Sequence, residues 1–161
     1  MSELDPRLVA ELEEYSDTKE HLYKAIKYIK EDREYRKGLD EARLALELLC
    51  KEIFNTPNKS LENQENNISK RIYENGYSQR FINFICGYLR GYESYNNHQV
   101  KHDDGRSIRS KEANLMLKNI SELIQLLIYQ VVIAVGTHLF PFRTEKLSSL
   151  APMVLQCLVG E

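Results

Sequence analysis

The sequence predicts an all-α protein, and three observations carry that prediction. No segment alternates apolar and polar residues with period two. Apolar residues instead recur at i, i+3, i+4 and i+7 in successive stretches, and those stretches are separated by capping residues, Gly or Pro. The expected architecture is an antiparallel bundle of four principal helices, with a short N-terminal helix and an apolar C-terminal extension.

Asp5-Pro6 sets an N-cap before a proline suited to the first helical position, and Leu8, Leu12 and Tyr15 follow at helical spacing. Asp17-Thr18-Lys19-Glu20 reads as a capping box for a second helix with Leu22, Ala25, Ile26 and Ile29 on one stripe. That helix is expected to fade over Asp32 to Lys37 and stop at Gly38. From Asp40 onward Ala42, Ala45, Leu46, Leu49, Cys50 and Ile53 form the cleanest amphipathic face of the chain, with alanines that admit a close neighbour.

Asn55 to Asn58 is a loop, and Ser60 opens a polar, peripheral segment that ends at Gly76. Ser78 caps a helix whose Phe81, Phe84, Ile85, Tyr88, Leu89 and Tyr92 make a broad stripe, ending at Gly91 or soon after. Residues 93–107 show no periodicity and are rich in Asn, His and Asp, a polar connection. Ser110 then opens a long helix through Ala113, Leu117, Ile120, Leu123, Ile124 and Leu127. The expected organisation is an N-terminal extension over 1–16, the bundle over 17–130 and an apolar tail over 131–161.

With 161 residues, 42% hydrophobic and 29% charged, the chain supports one folded domain. The net charge of −2 conceals an uneven distribution: residues 66–111 hold 8 basic and 4 acidic side chains, whereas 1–65 hold 11 and 16. Three widely spaced cysteines and an acidic, interrupted N-terminus point to a reducing, cytoplasmic setting. Residues 123–142 carry no formal charge, a length that permits a membrane span, but Gln125, Gln130 and His138 are costly in hydrocarbon and a packed helix is the preferred reading. No CxxC, Gly-rich phosphate loop, HExxH or GxSxG occurs, which argues against zinc fingers, P-loop enzymes, zincins and the usual serine hydrolases.

Reactive groups concentrate in and around the polar connection: Arg90, Asn97, His98, Lys101, His102, Asp103, Asp104, Arg106 and Arg109. Three uses compete. His98 and His102 stand at i and i+4 beside two carboxylates, a thin basis for a metal site, and none is expected. A neutral imidazole could take a proton from a 2′-hydroxyl while an arginine neutralises charge on the phosphate, with no metal or cofactor. The third use is structural, the capping of helix ends by Asn, Asp and His. Tyr88, Tyr92 and Tyr95 follow at i, i+4 and i+7, either as core or as stacking surfaces, with Tyr95 expected to be exposed. Lone His21 and His138 read as packing or surface residues, and Cys50 and Cys86 as small hydrophobes.

The run Ala42-Arg43-Leu44-Ala45-Leu46-Glu47-Leu48-Leu49-Cys50-Lys51-Glu52-Ile53, the segment Ser60-Leu61-Glu62, a helix carrying Arg90, then Asn97-His98, Lys101-His102-Asp103-Asp104-Gly105 and Ser110-Lys111-Glu112-Ala113 together resemble the HEPN superfamily. The likeness is closest to the helical domains of abortive-infection and related bacterial defence proteins, and spans about residues 17–130. It implies a bundle that commonly dimerises, with a metal-independent endoribonuclease site near the dimer interface or, in other members, a non-catalytic binding or dimerisation module serving phage defence or toxin–antitoxin systems. Carried onto this chain, the catalytic candidates are Arg90, Asn97, His98 and His102, and the RNA-binding candidates are Tyr95, Lys101, Arg106 and Arg109. Here Arg90 is followed by Gly91, and seven residues separate it from His98 and eleven from His102, where a polar follower and a shorter spacing are usual in the family.

Overall fold

The structure is a computed structural model and describes residues 5–97 and 108–129. Every regular element among these residues is helical. The elements are α1 (Pro6–Glu11), α2 (Ser16–Lys27), α3 (Tyr35–Ile53), α4 (Glu65–Glu74), α5 (Gln79–Tyr95) and α6 (Ser110–Ile128). No described helix is long and apolar enough to cross a membrane.

The first helix forms as its sequence dictates: Asp5 Oδ1 accepts the Arg7 N–H at 2.8 Å, and Pro6 occupies the first turn, where its missing N–H costs nothing. A 3-10 turn over Leu12–Glu14 follows. Leu8 and Leu12 are buried in the same hydrophobic cluster as the later helices, so this N-terminal segment contributes to the main core.

α2 begins one residue before the expected capping box. Tyr15 occupies the capping position, without a side-chain hydrogen bond, and Thr18 is fully buried. The break between α2 and α3 also lies elsewhere than at Gly38. The helix widens into a π turn over Tyr28–Asp32, and the chain reverses at Arg33, in the left-handed region at φ 57°, with the Glu34 N–H donating to Tyr28 O at 2.8 Å. Gly38 lies inside α3, where a Cβ would stand 2.3 Å from Ile29 Cγ1. Its lack of a side chain is used for close helix packing, a need that sequence alone does not distinguish from helix termination.

α2 and α3 form the most extensive helix pair of the described residues, and α6 packs against α3. Leu22 and Ala25 of α2, Leu39, Ala42, Ala45, Leu46 and Leu49 of α3, and Ile120, Ile124 and Leu127 of α6 are buried at their contacts. Burial of each large aliphatic contributes about 2 kcal/mol.

Asn55, at φ 50°, ends α3. A 3-10 turn over Leu61–Gln64 then leads into α4, and Gly76, at φ 86°, supplies the left-handed residue that ends it. Ser78 Oγ accepts the Phe81 N–H, as its position predicts, and α5 continues through Gly91 to Tyr95. Two side chains from the α4 region close the far end of α6: Arg71 Nε donates to Leu127 O at 3.2 Å and Asn75 Nδ2 to Tyr129 O at 2.9 Å, satisfying carbonyls that a helix end leaves unpaired.

Candidate functional site

α5 positions the candidate residues that the structure describes. Its core side is Ile82, Cys86, Leu89 and Glu93, which orients the rest of the helix. Arg90 lies outside this stripe, with 67% of its side chain exposed and Nη1 3.7 Å from Glu65 Oε1. Asn97, in the π-helical continuation beyond Tyr95, donates from Nδ2 to Glu62 Oε1 at 3.5 Å. Positions 90 and 97 are two helical turns apart and therefore share one side of the helix, roughly 10 Å apart along its axis. Their acidic neighbours belong to the 3-10 turn and the start of α4, one turn from each other. Arg90 and Asn97 thus lie along a single edge, where α5 runs beside the segment 62–65.

Tyr95 and Arg109 lie on the other side. Tyr95 Oη donates to Glu112 Oε2 at 3.2 Å, and the Arg109 backbone N–H donates to the same oxygen at 3.3 Å. Glu112 is the third residue of α6, where a carboxylate is favoured by the helix N-terminus. Tyr95 is half-buried rather than exposed, because its ring packs against the core while its hydroxyl reaches this carboxylate. Burial, followed by the bond to Glu112, raises the Tyr95 pKa. Tyr92 is core, donating from its hydroxyl to Leu39 O at 3.2 Å. His98, Lys101, His102 and Arg106 lie outside the described residues.

Between the two sides is a buried polar cluster that the sequence reading missed. Arg43 Nη1 donates to Glu47 Oε2 at 3.0 Å, and its Nε donates to Glu93 Oε2 at 3.3 Å while standing 3.2 Å from Oε1. Lys51 Nζ reaches Glu47 Oε1 at 2.7 Å, and the Leu61 N–H approaches Glu47 Oε2 at 3.4 Å. Burial pushes the Glu47 carboxyl up, but the Lys51 bond, the Arg43 and Lys51 charges and the Leu61 N–H outweigh it, so its pKa lies below the ordinary value. For Glu93 burial dominates, and Arg43 only partly offsets it, so its pKa is raised. Asn96, one turn along α5, is fully buried, and neither end of its amide finds a partner among the described residues.

A signal for this cluster was present. Arg43, Glu47 and Lys51 stand at i, i+4 and i+8 with alternating sign, and Glu93 is the single carboxylate between Glu74 and Asp103, on the apolar stripe of α5. Of the basic residues of the middle segment, Arg90 faces a carboxylate from the N-terminal half, that of Glu65.

His21, the one described histidine, places Nδ1 2.5 Å from Glu41 Oε2, in the α2–α3 pair rather than among the candidate residues. Among the described residues no group of three or more His, Cys, Asp or Glu side chains could hold a metal ion. Cys50 is buried, which pushes its thiol up to about 12, and the buried Cys86 Sγ lies 3.1 Å from Ser69 Oγ.

In chemical terms the described edge offers an exposed guanidinium and an amide. These suffice to bind and neutralise a phosphate; a proton acceptor must come from outside them. Comparison of the chain with models of known protein families, with curated proteins and with solved structures found no match.

Proposed function

We propose that this chain is a HEPN-like defence domain, an antiparallel four-helix bundle that dimerises and cleaves RNA without a metal at the Arg90–Asn97 edge. The observation that carries the reading is that shared edge, with the Arg90 side chain two-thirds exposed and, among the described residues, in a loose 3.7 Å contact with Glu65. In the proposed reaction an imidazole, from His98 or His102, takes the proton of a ribose 2′-hydroxyl. The 2′-oxygen attacks the adjacent phosphorus, the 5′-oxygen leaves with a proton, and a 2′,3′-cyclic phosphate results. Arg90 stabilises the negative charge that grows on the phosphoryl oxygens, and Asn97 orients the phosphate or the imidazole.

A second reading is a non-catalytic binding or dimerisation module of a phage-defence or toxin–antitoxin system, contacting a partner protein. It draws support from Glu62 and Glu65, whose carboxylates border Asn97 and Arg90 and compete with a phosphate for them. Incubation of the purified chain with RNA in excess chelator separates the two readings. Nuclease action predicts cyclic-phosphate ends, and losses of about a hundredfold or more in Arg90→Ala and in one of His98→Ala or His102→Ala. Cleavage unchanged in all three variants, or absent from every preparation, overturns it.

A further inference from the structure

Around Arg43 the buried cluster sets three carboxylates, Glu47, Glu62 and Glu93, against two cations, Arg43 and Lys51. Glu47 is fully satisfied: Lys51 reaches one oxygen, and Arg43 and the Leu61 N–H reach the other. Glu93 is not. It is only 8% exposed, Arg43 Nε donates to its Oε2, and among the described residues no N–H donates to its buried Oε1. Its further neighbour is another acid, because the Glu62 carboxyl lies within hydrogen-bonding reach of Glu93. Two carboxyl groups share a hydrogen bond only when one of them carries a proton, since ionised carboxylates accept and do not donate. One proton also brings the three acids level with the two cations.

Position decides which acid holds it. Glu62 is exposed and Glu93 is buried, and burial disfavours the ionised form. Burial, which Arg43 only partly offsets, and the Glu62 contact together hold the Glu93 carboxyl above the ordinary carboxylate range. The groups that face Glu93 are Arg43 from α3, Glu62 from the 3-10 turn and, on α5 itself, Tyr92, whose hydroxyl is given to Leu39 O. Asn97 lies one turn further along α5, about 6 Å on, and donates from Nδ2 to the same Glu62 at 3.5 Å. The backbone of the 3-10 turn is anchored by Leu61, which is 3% exposed, and by the fully buried Gln64, whose Nε2 donates to Thr56 Oγ1 at 2.8 Å. The movement open to Glu62 is therefore that of its side chain.

We propose that Glu62 and Glu93 form a one-proton latch on the Arg90–Asn97 edge. With the proton in place the Glu93 O–H donates to Glu62, which lies over the end of α5 against Asn97. When the proton leaves to water, two like charges face each other. Arg43 keeps the buried Glu93 carboxylate, and the exposed Glu62 side chain turns to solvent and withdraws its oxygen from Asn97. Rising pH thus removes the acid that borders one residue of the edge. The device acts within the chain and is independent of what the edge binds.

The test is NMR of the full chain across a pH series, following the glutamate side-chain carboxyl carbons and the Asn97 side-chain amide. The Glu93 carboxyl should titrate above the ordinary value of 4.5, and the Asn97 amide should shift with the same midpoint. Glu62→Gln removes the like charge, so it should move the Glu93 midpoint down and flatten the Asn97 response. Glu93→Gln donates an amide N–H to Glu62 at every pH, and should hold the Asn97 amide at its low-pH position throughout. Because Glu62 is exposed, its variant should fold even where Glu93→Gln does not, and circular dichroism checks both. A Glu93 midpoint at or below 4.5, a midpoint unchanged by Glu62→Gln, or an Asn97 response that persists in folded Glu93→Gln overturns the latch. No RNA is present, so failure here leaves the nuclease reading standing, and absence of chelator-resistant cleavage leaves the latch standing.

Discussion

Arg43 of α3 and Glu93 of α5 form an ion pair at 3.2 Å, with side chains only 17% and 11% exposed. It ties the most deeply packed helix to the one that carries the candidate edge. Because Arg43 also serves Glu47, its removal leaves two enclosed carboxylates without their shared cation. Arg43→Ala is expected to cost about 3 kcal/mol, or roughly 10 °C in Tm, measured by thermal and urea unfolding. Adding Glu93→Gln should restore part of the loss, since the charge left unpaired is then gone.

Glu47 and Glu93 predict pH dependences of opposite sign. The folded state lowers the Glu47 pKa, so its contribution is present above the ordinary value of 4.5 and is lost as pH falls through the folded value. Glu47→Gln should therefore be less stable than the parent by about 2 kcal/mol near pH 7, and the two should converge as pH falls through the folded value. The folded state raises the Glu93 pKa, so the protonated form is favoured and its stabilising contribution fades as pH rises through that value. Glu93→Gln, which resembles the protonated acid, should match the parent at low pH and equal or exceed it at pH 7, read as Tm across the pH series.

Two glycines inside helices, Gly38 in α3 and Gly87 in α5, should respond in opposite directions. Gly38→Ala forces a methyl against Ile29 and is expected to destabilise by about 1–3 kcal/mol. Gly87→Ala places its methyl in open space and removes a helix-disfavouring residue, a gain of about 1 kcal/mol. Urea midpoints at constant m-value test both.

Arg90→Ala should leave stability within about 0.5 kcal/mol of the parent, because the side chain is exposed. A loss of RNA cleavage in this variant is then not a folding effect, and matched urea curves establish the comparison.

Cys50 should resist alkylation in the native chain and react only on unfolding, since burial holds its thiol near 12. Mass spectrometry of iodoacetamide-treated protein, with and without urea, locates the label.

Sequence alone determined the helical class and most element positions, because those depend on local chemistry: the Asp5-Pro6 start, the Ser78 cap, the left-handed Gly76 and the 3.6-residue stripes of α3 and α6. It misplaced the α2–α3 break, since Gly38 serves either to end a helix or to admit a neighbour, and only Ile29 across the gap decides between them. The site was legible in part. Arg90 and Asn97 could be named from their residue types and neighbourhood, and their common edge follows from a seven-residue interval. That Tyr95 turns to Glu112, that Arg43 and Glu93 meet inside, and that Phe84 rather than Tyr95 is the uncovered ring depend on which side of α5 faces which partner. A one-dimensional pattern marks a face as apolar or polar; which other helix lies against it is settled by packing between residues distant in the chain.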